Sequence, residues 1–277
     1  MDRAQHFKEI DEFLSSQTQQ EICSLGKVFR NPRSLGTEFV YKIIIEHMRI
    51  AAKIMKNNER NRREIEWYRH FMNRFYRNGV LLSPHFPLVS RAEPCNVCSV
   101  TKTYNQRDWI NTVVANDCLV LFSELADGDL KSVVSQLKTQ NLAVRDMVHQ
   151  VLTALLCLEE EGIVHNDLHL GNILYYRDDI ENAEEDSDSD DSVSSVTSAA
   201  QGMDRTWVLW DFGMMVRNGE QDPRDDEVTV ANTFVNDWKM TLLPLLRKSF
   251  PSSAFIKLIS RYTEESSSIR DLIHRMN

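Results

Sequence analysis

The sequence predicts an α+β chain, and three observations carry that reading. Short apolar runs of strand type occur at residues 49–55, 119–122, 163–164, 173–176 and 208–210, several of them bounded by turn-forming residues. Two longer stretches repeat their apolar residues at helical spacing. In the first, Glu64, Tyr68, Phe71 and Phe75 fall at i, i+4, i+7 and i+11; the second, residues 142–160, carries Val144, Met147, Val148, Val151, Leu155 and Leu158. Acidic and amide side chains then stand at the ends of two of the strands. Asp167 and Asn172 lie five apart in one loop, and Asp211 follows a second strand.

From the N-terminus, Phe7, Ile10, Phe13 and Leu14 predict an amphipathic helix within residues 1–25 that packs on the rest of the N-terminal half rather than docking a partner. Met1-Asp-Arg-Ala-Gln-His-Phe7 has no signal-peptide character, and no run of 18 apolar residues is present, so no membrane span is expected. Residues 31–41 read as two strand-like pieces around a single glycine, Gly36. Arg49-Ile-Ala-Ala-Lys-Ile-Met55 reads as a strand with Lys53 inside it. Glu64 heads the apolar stripe of the following helix, and a buried carboxylate is costly without a cation opposite, for which Lys53 is the candidate. Glu66 lies about 200° around the helix from Glu64, taking 3.6 residues per turn, and is expected in water.

Five cysteines, at 23, 95, 98, 118 and 157, form an odd set that does not suggest a disulfide framework. Cys95-Asn-Val-Cys98 has zinc-ligand spacing but no matching second pair, so two free thiols in a hairpin and a reducing compartment are expected. Cys118 to Leu130 reads as a buried strand running into Glu124-Leu-Ala126 and the turn Asp127-Gly-Asp129. The net charge of −9 is concentrated between Asp178 and Asp191, which hold nine acidic residues and no basic one. With the Ser-rich stretch after it, this forms an insert at about 178–205 that is disordered by composition and loops out between two strands. Arginines at 60, 62, 63, 69, 74 and 77 scatter around the helix after Lys53 among acidic residues, which suits a solvated face. No nucleic-acid-binding motif is present, so a nucleic-acid partner is not expected.

Ile163-Val-His-Asn-Asp-Leu-His-Leu-Gly-Asn-Ile-Leu174 and Trp210-Asp-Phe-Gly213 together resemble the catalytic loop and the Asp-Phe-Gly segment of protein kinases. The resemblance implies a bilobal kinase-like fold. It would have an N-terminal helix over 1–25, a β-rich N-lobe over 26–122, a hinge over 123–130, and a short, mainly helical C-lobe over 131–277. It implies ATP and Mg²⁺ as cofactors. Asp167 would take the acceptor's proton, Asn172 and Asp211 would hold the metal, and Lys53 oriented by Glu64 would hold the phosphates. Gly36 would stand in the phosphate-cradling loop, which is otherwise poor in glycine. Backbone groups of Glu124 and Ala126 would meet adenine, Ser123 would guard the back of the pocket, and Asp129 would meet the ribose. Asp237, in Asn236-Asp-Trp238, would tie its carboxylate to the catalytic-loop backbone.

The chain also departs from the kinase pattern. Asn166 replaces the usual Arg, which implies no control through a phosphorylated activation loop. His169 replaces the usual Lys, as in aminoglycoside- and choline-kinase-like enzymes, and would donate to the γ-phosphate. No Ala-Pro-Glu follows Gly213. The combination of His-Asn-Asp-Leu-His-x-Gly-Asn with Ser83-Pro-His-Phe-Pro87 and a short C-terminal lobe is similar to Ser/Thr kinases of large DNA viruses such as iridoviruses, over residues 36–246 outside the insert. An intracellular Ser/Thr protein kinase is therefore expected, with protein substrates that include its own Ser187, Ser189 and Ser192. A small-molecule phosphotransferase and a pseudokinase scaffold are the alternatives.

Overall fold

The computed structural model describes residues 2–25, 33–35, 38–95, 118–177, 205–221 and 232–276, and it is of mixed α+β class. No described helix is long and apolar enough to cross a membrane. Gly36, Cys98, and the insert with Ser187, Ser189 and Ser192 lie outside the described residues. The chain divides into two compact units, one formed by Asp2–Ser83 with Pro87–Ala126, the other by Pro84–Phe86 with Asp127–Asn277.

The N-terminal unit is built on an antiparallel sheet of order β1-β2-β3-β7-β6. Its strands are β1 (Arg33–Leu35), β2 (Glu38–Ile45), β3 (Met48–Lys56), β6 (Val89–Cys95) and β7 (Cys118–Glu124). β3 and β7 lie inside the sheet and are almost wholly buried, which explains their near-continuous apolar runs. Helix α3 (Glu59–Phe75) follows β3. Its N-cap Asn58 accepts from Asn61 N–H at 2.9 Å, and Glu59 and Arg74 sit at the ends that suit the helix dipole. A hairpin of β4 (Tyr76–Arg77) and β5 (Val80–Leu81) then turns at Asn78 and Gly79, both with positive φ (52° and 78°). Asn-Gly is the pair best suited to such a turn.

Residues 2–25 form two helices rather than one, α1 (Arg3–Ser16) and α2 (Gln19–Leu25). The chain breaks at Gln17, which is extended, and restarts at Thr18. There Thr18 N–H donates to Glu21 at 2.8 Å while Glu21 N–H donates back to the Thr18 hydroxyl at 3.3 Å, a reciprocal cap. The Thr18 donors hold the Glu21 carboxyl below its ordinary value. Ile10, Leu14 and Ile22 pack with Ile50, Val120 and Phe122 in one core.

The cysteines depart from the expected pair of free thiols. Cys23 of α2 and Cys95 of β6 form a disulfide with their Cα atoms 5.5 Å apart, so these are not free thiols. An odd cysteine count did not exclude one bridge, and it no longer argues for a reducing compartment. Cys118 and Cys157 are not in a disulfide, and among the described residues no cluster of His, Cys, Asp or Glu could hold a metal ion.

The C-terminal unit is mainly helical. A small sheet of order β11-β10-β8 joins β8 (Gly128–Asp129), β10 (Ile173–Arg177) and β11 (Arg205–Leu209), and β9 (Ile163–Val164) pairs with β12 (Val216–Arg217). Helix α4 (Leu130–Leu137) leads to α5 (Asn141–Glu160), whose buried residues include all six that define its apolar stripe in the sequence. A wide π-type helix (Phe234–Leu242) continues into α6 (Leu243–Ser249), followed by α7 (Ala254–Glu265) and α8 (Ile269–Met276). The π-type spacing shows where Leu243 N–H reaches Trp238 C=O, five residues back. Trp238 is buried and donates its indole N–H to the Thr263 hydroxyl at 3.0 Å.

Candidate functional site

Each unit carries its own cluster of the residues singled out in the sequence. In the N-terminal unit, Lys53 Nζ donates to Glu64 Oε1 at 2.6 Å. Lys53 is 2% exposed and Glu64 0%, so both charges have left water. The local sequence makes the pair. Lys53 points from the middle of β3, and Glu64 lies on the buried stripe of α3, one turn before Tyr68. Glu66 is exposed, as its angular position requires.

Glu124, at the end of β7, is a second buried carboxylate, 3% exposed. Its Oε1 accepts from Leu88 N–H at 2.9 Å, while its own N–H donates to Leu88 C=O at 3.1 Å. The Arg3 guanidinium of α1 spans both carboxylate oxygens, with Nε at 3.0 Å and 2.8 Å. Buried Ser123 donates its hydroxyl to Glu124 C=O at 3.1 Å, and Leu125 N–H donates to Arg49 C=O at 3.0 Å. The backbone running into Ala126 is thus tied at successive residues.

In the C-terminal unit the loop after β9 is shaped by hydrogen bonds to its backbone. Asp237, 1% exposed, accepts from His165 N–H at 2.7 Å and Asn166 N–H at 2.9 Å, the tie that the sequence assigned to it. Burial pushes the Asp237 carboxyl above its ordinary value, opposed by these donors. Asn166 has φ +65°, a left-handed conformation that Asn adopts more readily than most residues. Asn172 is buried, and its Nδ2 donates to Asp167 C=O at 2.9 Å, which leaves Oδ1 as the side-chain acceptor.

Asp211 is the second left-handed residue of this cluster, φ +65°. Its neighbours hold it there. Trp210 N–H donates to Asn172 C=O at 2.9 Å, and Trp210 C=O lies 2.9 Å from His165 Nε2. On the other side the buried Phe212 ring meets His165 edge-on at 5.9 Å. Two non-glycine residues with positive φ, joined through one hydrogen-bonded segment, are the kind of local strain that marks functional sites.

His169 is exposed, and its Nδ1 accepts from Gly171 N–H at 3.0 Å. An accepting Nδ1 carries no proton, so the neutral ring presents N–H at Nε2. Asp129 is committed locally, its Oδ1 capping α4 through Ser132 N–H at 2.7 Å.

Sequence reasoning missed Arg3 and Gly128. Glu124 gave a signal for the first, a carboxylate closing an apolar strand, but its partner lies 121 residues away. At Gly128 a Cβ would come within 2.9 Å of the Tyr175 ring, a close approach invisible before the strands are paired. A cavity of about 500 Å³ in the N-terminal unit, lined by residues including Phe7, Asp11, Arg69, Met72 and Arg91, involves none of the candidate residues. Searches of the sequence against protein-family models and curated proteins find no match.

Proposed function

We propose that the chain is an ATP- and Mg²⁺-dependent kinase of the protein-kinase type, transferring the γ-phosphoryl group to Ser or Thr hydroxyls of proteins. The observation that carries this reading is the buried Lys53–Glu64 pair at 2.6 Å. A buried ion pair is weak evidence for stability, since well-packed apolar residues serve as well. A lysine held on a strand by a glutamate from the next helix is, in contrast, the arrangement that phosphate binding in kinases requires.

The donor set fits the cofactors. Asp211 and Asn172 Oδ1 are hard oxygen ligands of the type Mg²⁺ takes, few in number because nucleotide phosphates and water complete its shell. ATP would supply the phosphoryl group and Mg²⁺ would neutralise its charge. Asp167 would orient the acceptor hydroxyl and take its proton, and Lys53 would hold the phosphates. His169 would donate through Nε2. Asp237 acts only by shaping the loop backbone.

His169 also supports a second reading, a phosphotransferase acting on small alcohols. Transfer of label from ATP with Mg²⁺ separates the two, offered to casein, basic proteins, the chain itself and a panel of small alcohols. Label on protein, lost by about 10³-fold in Asp167→Ala, is the expected result. Its appearance on Ser187, Ser189 or Ser192 would identify the insert as a substrate. Label only on a small alcohol moves the chain to the second class. Binding of ATP without transfer to any acceptor leaves a pseudokinase scaffold.

A further inference from the structure

Arg3 stands on α1, far in sequence from every residue of the proposed nucleotide site, yet its guanidinium spans both oxygens of Glu124. The Glu124 side chain is 2% exposed and the Arg3 side chain 13%, so the Arg3 guanidinium supplies the charge that lets the carboxylate stay buried. The same carboxylate takes Leu88 N–H, and the Glu124 backbone N–H gives to Leu88 C=O. Side chain and main chain of Glu124 are therefore locked as one piece. As a contribution to stability the ion pair is replaceable by apolar side chains. What such side chains could not reproduce is the fixed position of the backbone at the end of β7.

We propose that Arg3 is a positioning residue for nucleotide recognition: through Glu124 it fixes the backbone of Glu124–Ala126, and α1 thereby sets affinity for the purine. This rests on the nucleotide-site reading above. Without Arg3 the carboxylate would be buried and uncompensated, and it would either take a proton or turn toward water. Turning toward water displaces the Glu124 carbonyl and the amides that follow. Lys53 and Glu64 form a separate buried ion pair at 2.6 Å, so phosphate affinity is expected to change far less than purine affinity.

Calorimetric titration of the full chain with Mg·ATP and separately with Mg·tripolyphosphate tests this. For Arg3→Ala we expect ATP to bind at least tenfold more weakly and tripolyphosphate to change by less than twofold. Arg3→Lys, which keeps the charge but not the fork, should recover part of the loss. Should Arg3→Ala fail to fold, Arg3→Met, which keeps most of the side-chain volume, replaces it with the same expectation. Equal weakening of both ligands would show a merely structural role and overturn the proposal, as would unchanged ATP affinity. If the unaltered chain binds ATP no better than tripolyphosphate, purine recognition is absent and the proposal falls with it. If it binds neither, the nucleotide-site reading itself has failed.

Discussion

Glu64 in the N-terminal unit and Asp237 in the C-terminal unit are carboxylates with almost no exposure, 0% and 1%, but different chemistry compensates them. Glu64 faces the ammonium of Lys53, whereas Asp237 takes two backbone N–H groups. In the first case the product is a placed positive charge. In the second it is a loop held in one shape, with Asn166 in a conformation most residues avoid. Phosphoryl transfer needs both, charge where the phosphates bind and rigid geometry where the hydroxyl attacks.

Neutral isosteres break the comparison most sharply. Glu64→Gln removes the carboxylate that the buried Lys53 ammonium faces, and loss of one partner of a buried pair costs about 3–5 kcal/mol. Denaturant unfolding should show that loss, and phosphate transfer should fall with it. Asp237→Asn should cost less, about 1–3 kcal/mol, because one amide oxygen still accepts while the amide N–H₂ opposes the second backbone donor. Its effect on transfer should nonetheless be large. If Asp237→Asn unfolds the chain as readily as Glu64→Gln does, the contrast between charge and shape is wrong.

The same variant has a pH signature. Burial raises the Asp237 carboxyl above its ordinary value of 3.8, so the folded chain binds this proton more readily than the unfolded one. Its contribution is therefore fully present below pH 3.8 and is lost as pH rises through the folded-state value. Asp237→Asn should remove that slope from the acid limb of the unfolding curve, and a slope unchanged by the substitution would contradict the assignment.

The two carboxylates also differ in how far the sequence disclosed them. Glu64 was legible because its partner lies 11 residues away, on a strand and a helix that each announce themselves by periodicity. Asp237 was legible only through resemblance, since nothing local says that its carboxylate turns toward residues 71 and 72 positions earlier. Arg3 and Glu124 had neither aid. The rule that a buried carboxylate needs a cation applies to Glu124 as it does to Glu64, but sheet topology alone brings α1 beside β7. The Cys23–Cys95 bridge was hidden for the same reason, its cysteines being 72 residues apart. Periodicity reports the element a residue sits in, and long-range pairing follows from how elements stack.

The smallest expected effect tests whether α1 is as firmly seated as its contacts imply. His6 lies on α1 at 7% exposure with Nδ1 buried and unbonded, in the electrostatic reach of Glu124, Glu9, His47 and Arg49. Burial lowers its imidazole below the ordinary value of 6.5, against the raising influence of Glu124 and Glu9. The unfolded chain then binds this proton more readily, so the His6 contribution is present above pH 6.5 and is lost as pH falls through the folded-state value. The slope is opposite in sign to that of Asp237. Denaturant midpoints measured from pH 7.5 down to 5 should fall for the unaltered chain and fall less for His6→Leu. A His6→Leu curve parallel to that of the unaltered chain would mean that His6 is not held in its buried position on α1 as the structure shows.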